Sequence, residues 1–308
     1  MVLLLRDDAG RPSRGRGGAG RAWPLPRGGL QRARLHALAR DRPARRRGDA
    51  RRQGADARHP RSIARAIHHR PAPVHRDGAL VVVRRVGLLD GARAATGIAV
   101  IIDVFRAFTT AAFCIAAGAS EIVLVAAHEE ALAMKTKDTR LFLVGEVRGR
   151  PIPGFDAGNS PSAIEHLDLS GRRVVQRTSQ GTQGVVAATR AQAIALGSFV
   201  VAGATARHLA PSNEVTLVAM GEAGTGDTSE DDACALYLEG LLMGRTADAK
   251  TALARALSAA ERRVAIDGVW PEWFPRRDAE LACEIDRFSF ALPVAREGGL
   301  LVARPVFV

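Results

Sequence analysis

From residue 81 onward the apolar positions alternate between two periods. Val81–Arg85 and Gly97–Asp103 (GIAVIID) are runs rich in β-branched residues, and the second reads as a strand buried on both faces. Arg106–Gly118 follows as a helix, with Phe105, Phe108, Ala112, Phe113 and Ala116 at helical spacing and Gly118 as its C-cap. Further strands are predicted over Glu121–Ala126, Leu141–Val144, Arg173–Gln176, a run ending at Phe199, and Val215–Met220. Helices are predicted over His128–Lys137, Pro161–Leu167, Thr182–Arg190, Ala202–Leu209 and Ser229–Met243. Strand followed by helix, repeated, predicts an α/β fold: a three-layer α/β/α arrangement on a mostly parallel or mixed sheet with helices on both faces. Glu284–Arg287, Ala291–Val294 and Leu300–Ala303 predict a C-terminal antiparallel hairpin element.

In open α/β sheets, ligands bind beyond the carboxyl ends of the strands. Four of the predicted strand ends carry polar chemistry. Asp103 is followed by Arg106 and Thr109-Thr110. Val144 opens the loop Gly145–Pro161, GEVRGRPIPGFDAGNSP, with two carboxylates, two arginines, Asn159 and Ser160. Gln176 leads to Arg177-Thr178-Ser179-Gln180-Gly181-Thr182, and Met220 to a Gly-rich acidic loop before Ser229-Glu230-Asp231-Asp232.

Each motif has a structural and a functional reading. Asp103 closes a buried strand, so it needs an ion-pair partner such as Arg106, or a metal. With Glu146 and Asp156 it forms a candidate Mg²⁺ set, because that ion takes one or two carboxylates plus substrate oxygens. The Arg177–Thr182 turn is either a phosphate cradle of backbone N–H groups and hydroxyls or a capped helix start. Ser229–Asp232 reads as a capping box, one of whose three acids could point into the site. No GxxxxGK[ST] occurs.

Composition alters one end of this picture. Residues 1–75 hold 19 Arg, no Lys and 5 Asp, a net of +14, which leaves −2 for the rest against a total of +12. Rich in Arg, Gly, Ala and Pro, residues 1–78 lack the apolar surface to offset their ordering entropy and are expected to be disordered. Residues 79–308 form the expected α/β domain. The Arg-rich segment is expected to come from a start codon assigned too far upstream, and native peptides from residues 1–70 would refute that. Its other reading is a nucleic-acid-binding arm. Three widely spaced cysteines (Cys114, Cys234, Cys283) suit neither a disulfide framework nor a zinc site, so a reducing cytoplasm is expected. No run approaches the roughly 18 apolar residues of a membrane span.

Taken in order, IIDVFRAFTTAAFCIAAGA (101–119), GEVRGRPIPGFDAGNSP (145–161), VVQRTSQGT (174–182), GSF (197–199), SEDDACALYLEGLL (229–242) and CEIDRFSFALPV (283–294) resemble the 2-phosphosulfolactate phosphatase family. The resemblance implies a Mg²⁺-dependent cytoplasmic phosphatase that releases sulfolactate and phosphate from 2-phosphosulfolactate, a step of coenzyme M biosynthesis. On that reading Asp103, Glu146 and Asp231 are the catalytic candidates, and Asp103, Glu146 and Asp156 the metal ligands. Arg106, Arg148 and Arg177 are anion clamps, with Asn159, Ser160, Thr178, Ser179, Gly181 and Thr182 also binding substrate. Two departures leave the substrate open. Ser179-Gln180 stands where the family pattern has Thr-Asn, and Val147 where it has Arg. The alternatives are a phosphatase for another phosphoester, a non-catalytic small-anion binder, and nucleic-acid binding through residues 1–75. Self-association into a homo-oligomer is left open.

Overall fold

The computed structural model describes residues 74–76 and 79–308, apart from Ala223 and residues 265–267. Nearly all of the Arg-rich segment and its expected disorder therefore lie outside the described residues. The strand β3 (Ile98–Ile102) explains the layering, because its alternate side chains enter different cores. Ala99 and Ile101 pack with Phe108 of α2 (Ala107–Ala116) and Val185 of α5 (Gly181–Ala187). Val100 and Ile102 pack with Ala206 of α6 (Ala202–His208), Leu238 of α7 (Ser229–Leu242) and Ala256 of α8 (Ala249–Val264). Helices thus cover both faces, as the apolar pattern predicts.

The sheet holds two parallel blocks. In the first, β2 (Ala79–Gly87), β10 (Glu214–Ala219), β3 and β9 (Ala193–Gly197) lie side by side. In the second, β4 (Glu121–Leu124), β8 (Arg173–Arg177) and β5 (Phe142–Val147) do the same. The C-terminal hairpin of β11 (Phe290–Glu297) and β12 (Leu300–Ala303) is the expected antiparallel element, and it occupies the middle of the sheet. Its β11 pairs with β9 and its β12 with β4, both antiparallel. This reverses one block relative to the other, and a twist of about 20–25° per strand works against that reversal. The carboxyl ends of β3 and β8 do meet: Gln176 Nε2 donates to the Ala107 carbonyl at 2.8 Å.

Several boundaries differ from expectation. The strand expected to end at Phe199 stops at Gly197, and Phe199–Val201 is a 3₁₀ turn whose three side chains are all buried. An apolar run belongs to any buried segment, so it could not distinguish these. Glu284–Arg287 is not a strand; it is the turn after α9 (Arg276–Ala282), with Asp286 at φ 56° and its Oδ1 accepting from Gly203 N. Helices α8 and α9 lie outside the predicted elements, as does α1 (Leu88–Ala94). Among the described residues no helix is long and apolar enough to cross a membrane.

Candidate active site

Asp103 leaves the sheet just beyond β3 and is buried. Its Oδ1 accepts from the Ala107 N–H at 3.0 Å. Burial pushes its carboxyl up to about 7; the Ala107 N–H opposes this, and the charges of Glu146 and Glu230 add to it. Gly181, at the start of α5, leaves room for this carboxylate: a Cβ there would stand 2.8 Å from Asp103 Oδ2 and 2.7 Å from Ala107 Cβ. The expected ion pair between Asp103 and Arg106 does not form. Arg106 turns to Asp278 of α9, with Nη1 donating to Oδ2 at 2.6 Å. Arg106 also donates to the Trp273 carbonyl (2.8 Å) and the Gly149 carbonyl (3.3 Å), with its guanidinium 4.2 Å from the centre of the Phe274 ring.

The end of β5 and the loop after it divide their side chains between two surroundings. Glu146 is buried and gathers three hydrogen bonds: from Ser179 N (2.5 Å) to Oε1, and from Ser179 Oγ (3.0 Å) and Gly149 N (2.6 Å) to Oε2. Gly149 adopts φ 80° against Trp273, whose ring a Cβ would approach to 2.6 Å. Asn159 is also buried, and its Oδ1 has no hydrogen-bond partner. The middle of the loop faces away. Asp156 pairs with Lys135 Nζ (2.6 Å to Oδ1) and accepts from Leu143 N. It lies outside the pocket that Asp103 and Glu146 line. Val147 lies on the exposed side of β5 and is not among the residues that line the pocket.

The turn after β8 is mostly committed to itself. Thr178 N donates to Thr182 Oγ1 (2.8 Å), while Thr182 N donates to Thr178 Oγ1 (3.0 Å), a reciprocal cap. Arg177 donates to the carbonyls of Glu146 (2.8 Å) and Ala126 (3.2 Å) and lies outside the pocket. Ser160 likewise caps the short helix α4 (Pro161–Ile164) and donates to Asp278 Oδ1 at 2.8 Å. Asp231, which sequence reasoning placed among the catalytic candidates, sits behind the pocket wall. It accepts from Val104 N and Gly221 N, both at 2.8 Å, tying the ends of β3 and β10 together. Burial raises its carboxyl well above the ordinary range, and the charges of Glu230 and Asp103 add to the shift.

What converges is a pocket of about 160 Å³. Asp103, Arg106, Glu146, Arg148, Asn159 and Ser179 line it, together with Gln180 and Glu222. Phe105, Val264, Trp273 and Phe274 supply its apolar wall. Val264, Trp273, Phe274 and Asp278 were missed from sequence because α8 and α9 were. The signal present was Ala252, Ala256, Ala259, Ala260 and Val264 at helical spacing, followed by Pro275 ahead of RRDAELA. Among the described residues no three His, Cys, Asp or Glu side chains gather as a metal cluster. Three carboxylates and two guanidiniums face the cavity, so its own side chains do not amount to a purely cationic receptor.

Carboxylates, an amide oxygen and arginines thus meet in one pocket at the strand ends of an α/β protein. The sequence profile of the family described as 2-phosphosulpholactate phosphatase matches residues 86–266, and the chain belongs to that family. It is 33% identical over 147 residues to a probable 2-phosphosulfolactate phosphatase of Bacillus subtilis (strain 168), covering 47% of this chain and 64% of that protein. A protein of the same description from Deinococcus radiodurans is 38% identical over 148 residues, covering 47% and 62%. One from Parasynechococcus marenigrum (strain WH8102) is 31% identical over 188 residues, covering 60% and 74%. The chain thus spans less than two thirds of the length of the first two relatives.

Proposed function

We propose that this pocket binds a small phosphorylated acid together with Mg²⁺ and hydrolyses its phosphate monoester, with 2-phosphosulfolactate as the substrate. The observation that carries the reading is the buried Asn159 Oδ1, without a donor, in the same small cavity as Asp103 and Glu146. A buried oxygen with no partner costs free energy, and a hard cation satisfies it. Two carboxylates and one amide oxygen suit an ion that keeps substrate oxygens among its ligands. The charge of the lining points the same way, since three carboxylates repel a polyanion until a cation offsets them.

In this reading Asp103, Glu146 and Asn159 hold the cation, and Arg106 and Arg148 bind the anionic groups. Magnesium, when bound, supplies a Lewis acid that stabilises charge on the phosphoryl oxygens. The Ser179 hydroxyl and N–H keep Glu146 aimed, and the Phe105, Trp273 and Phe274 wall excludes water from one side. Water is the co-reactant: its oxygen ends on phosphorus, and the bond from phosphorus to the acid's oxygen breaks. The role in coenzyme M biosynthesis and the cytoplasmic setting belong to the same proposal.

The test is phosphate release from a panel of sulfonated and carboxylated phosphoesters, with Mg²⁺ or with EDTA. Release from 2-phosphosulfolactate that EDTA abolishes is the expected result. Tight sulfolactate binding without turnover of any ester would replace this reading with that of a non-catalytic anion binder. Gln180 lines the pocket where the family pattern has Asn, so the panel includes other three-carbon phosphoesters.

A further inference from the structure

We propose that Asp278 is the positioning residue that presents Arg106 to the bound anion, an inference that rests on the phosphate-site reading above. Asp278 lies in the first turn of α9, beyond the segment 86–266 that matches the family, and is wholly buried. Its two oxygens serve two different elements. Oδ2 accepts from Arg106 Nη1 at 2.6 Å. Oδ1 accepts from Ser160 Oγ (2.8 Å), Ser162 N (3.0 Å) and Ser162 Oγ (2.6 Å), at the start of the helix that follows Asn159. One carboxylate therefore links the Arg106 guanidinium to the segment that carries the partnerless Asn159 oxygen.

A guanidinium has five N–H donors in one plane. Asp278, the Trp273 carbonyl and the Gly149 carbonyl fix the plane of Arg106 through three of them, with the Phe274 ring against its face. Two donors remain for an anion in the pocket that Arg106 lines. Asp278 also neutralises much of the arginine's charge, so the pair attracts an anion by the direction of its donors more than by net charge. A buried ion pair is weak evidence for stability by itself. Its place at the wall of a polar pocket is what gives it a positioning role.

The experiment is calorimetric titration of inorganic phosphate, with Mg²⁺ present, into the full chain and its Asp278→Asn, Arg106→Lys and doubly substituted forms. Each single change is expected to weaken phosphate binding by about tenfold or more, Asp278→Asn by removing the carboxylate that holds Arg106 and Arg106→Lys by removing the planar fork of donors. The double variant is expected to bind within about twofold of Arg106→Lys alone, because both changes remove one unit. Added guanidinium should restore binding to Arg106→Ala and fail to do so once Asp278 is also replaced. Asp278→Glu, which keeps the charge on a longer stem, serves if the Asn variant does not fold, and should also weaken binding. Additive losses, or wild-type affinity in any folded Asp278 variant, would overturn the proposal. Non-additive losses in a protein that hydrolyses no ester would refute the phosphatase reading and leave this one standing. A wild type that binds no phosphate refutes both.

Discussion

The segments at the carboxyl ends of β5 and β8 look alike in sequence, both polar, glycine-bearing and armed with arginine, yet they do different work. The first sends Glu146, Arg148, Gly149 and Asn159 into the pocket. The second turns Thr178 and Thr182 on each other and Arg177 on two backbone carbonyls, lending the pocket only Ser179 and Gln180. Polarity at a strand end marks where a site can be; it does not show whether a group is already committed. A hydroxyl two positions from a glycine caps a helix as readily as it cradles a phosphate. Hydrogen-bond satisfaction separates the two segments: among the described residues that line the pocket, Asn159 carries a buried side-chain oxygen without a partner.

Exchanging the two arginines gives the largest contrast. Arg106→Ala should lower kcat/KM for phosphate release by about 10²–10³-fold, the usual loss when one charge-stabilising donor is removed from a site. Arg177→Ala should leave kcat/KM within about threefold and lower the melting temperature, because its bonds hold the Glu146 and Ala126 backbone. Equal kinetic losses in the two variants would erase the distinction between the segments.

The pH response is the next largest effect. Burial raises the Asp103 carboxyl from 3.8 to about 7, so between those values the native protein holds a proton that the unfolded chain has released. The native state binding more protons, stability falls as pH rises through that window and levels off above about 7. Asp231, also raised by burial, acts in the same direction. A cation on Asp103 displaces the proton and reverses the trend. Thermal unfolding should therefore show a larger Mg²⁺ stabilisation at pH 8 than at pH 5, and an equal effect at both would detach Asp103 from the cation.

A smaller effect tests the second segment alone. Thr182→Val removes the oxygen that accepts from Thr178 N and should cost about 1–2 kcal/mol in denaturant unfolding, the value of a lost cap. Turnover per folded molecule should stay within about twofold. A loss of turnover well beyond that would return the Thr178–Thr182 turn to the substrate site.

Much of the fold was legible because β3 and its neighbours carry strict apolar runs and the helices between them carry helical spacing. The missing pieces have separate physical causes. Helix α8 buries alanines, whose small side chains give a faint apolar stripe, and Phe199–Val201 is a buried turn whose apolar run mimics a strand end. In the site, Asp103, Glu146, Arg106, Arg148 and Asn159 could be read from their places after strands. The commitment of Asp156 to Lys135, and of Arg106 to Asp278 some 172 residues away in sequence, could not, because ion-pair choice depends on tertiary approach.

The most direct measurement is a crystal structure of the chain soaked with Mn²⁺ and inorganic phosphate, with anomalous scattering to locate the metal. The ion is expected among Asp103, Glu146 and Asn159 Oδ1, and the phosphate against Arg106. Phosphate seated on the Thr178–Thr182 turn and Arg177, with no metal at Asp103, would contradict it.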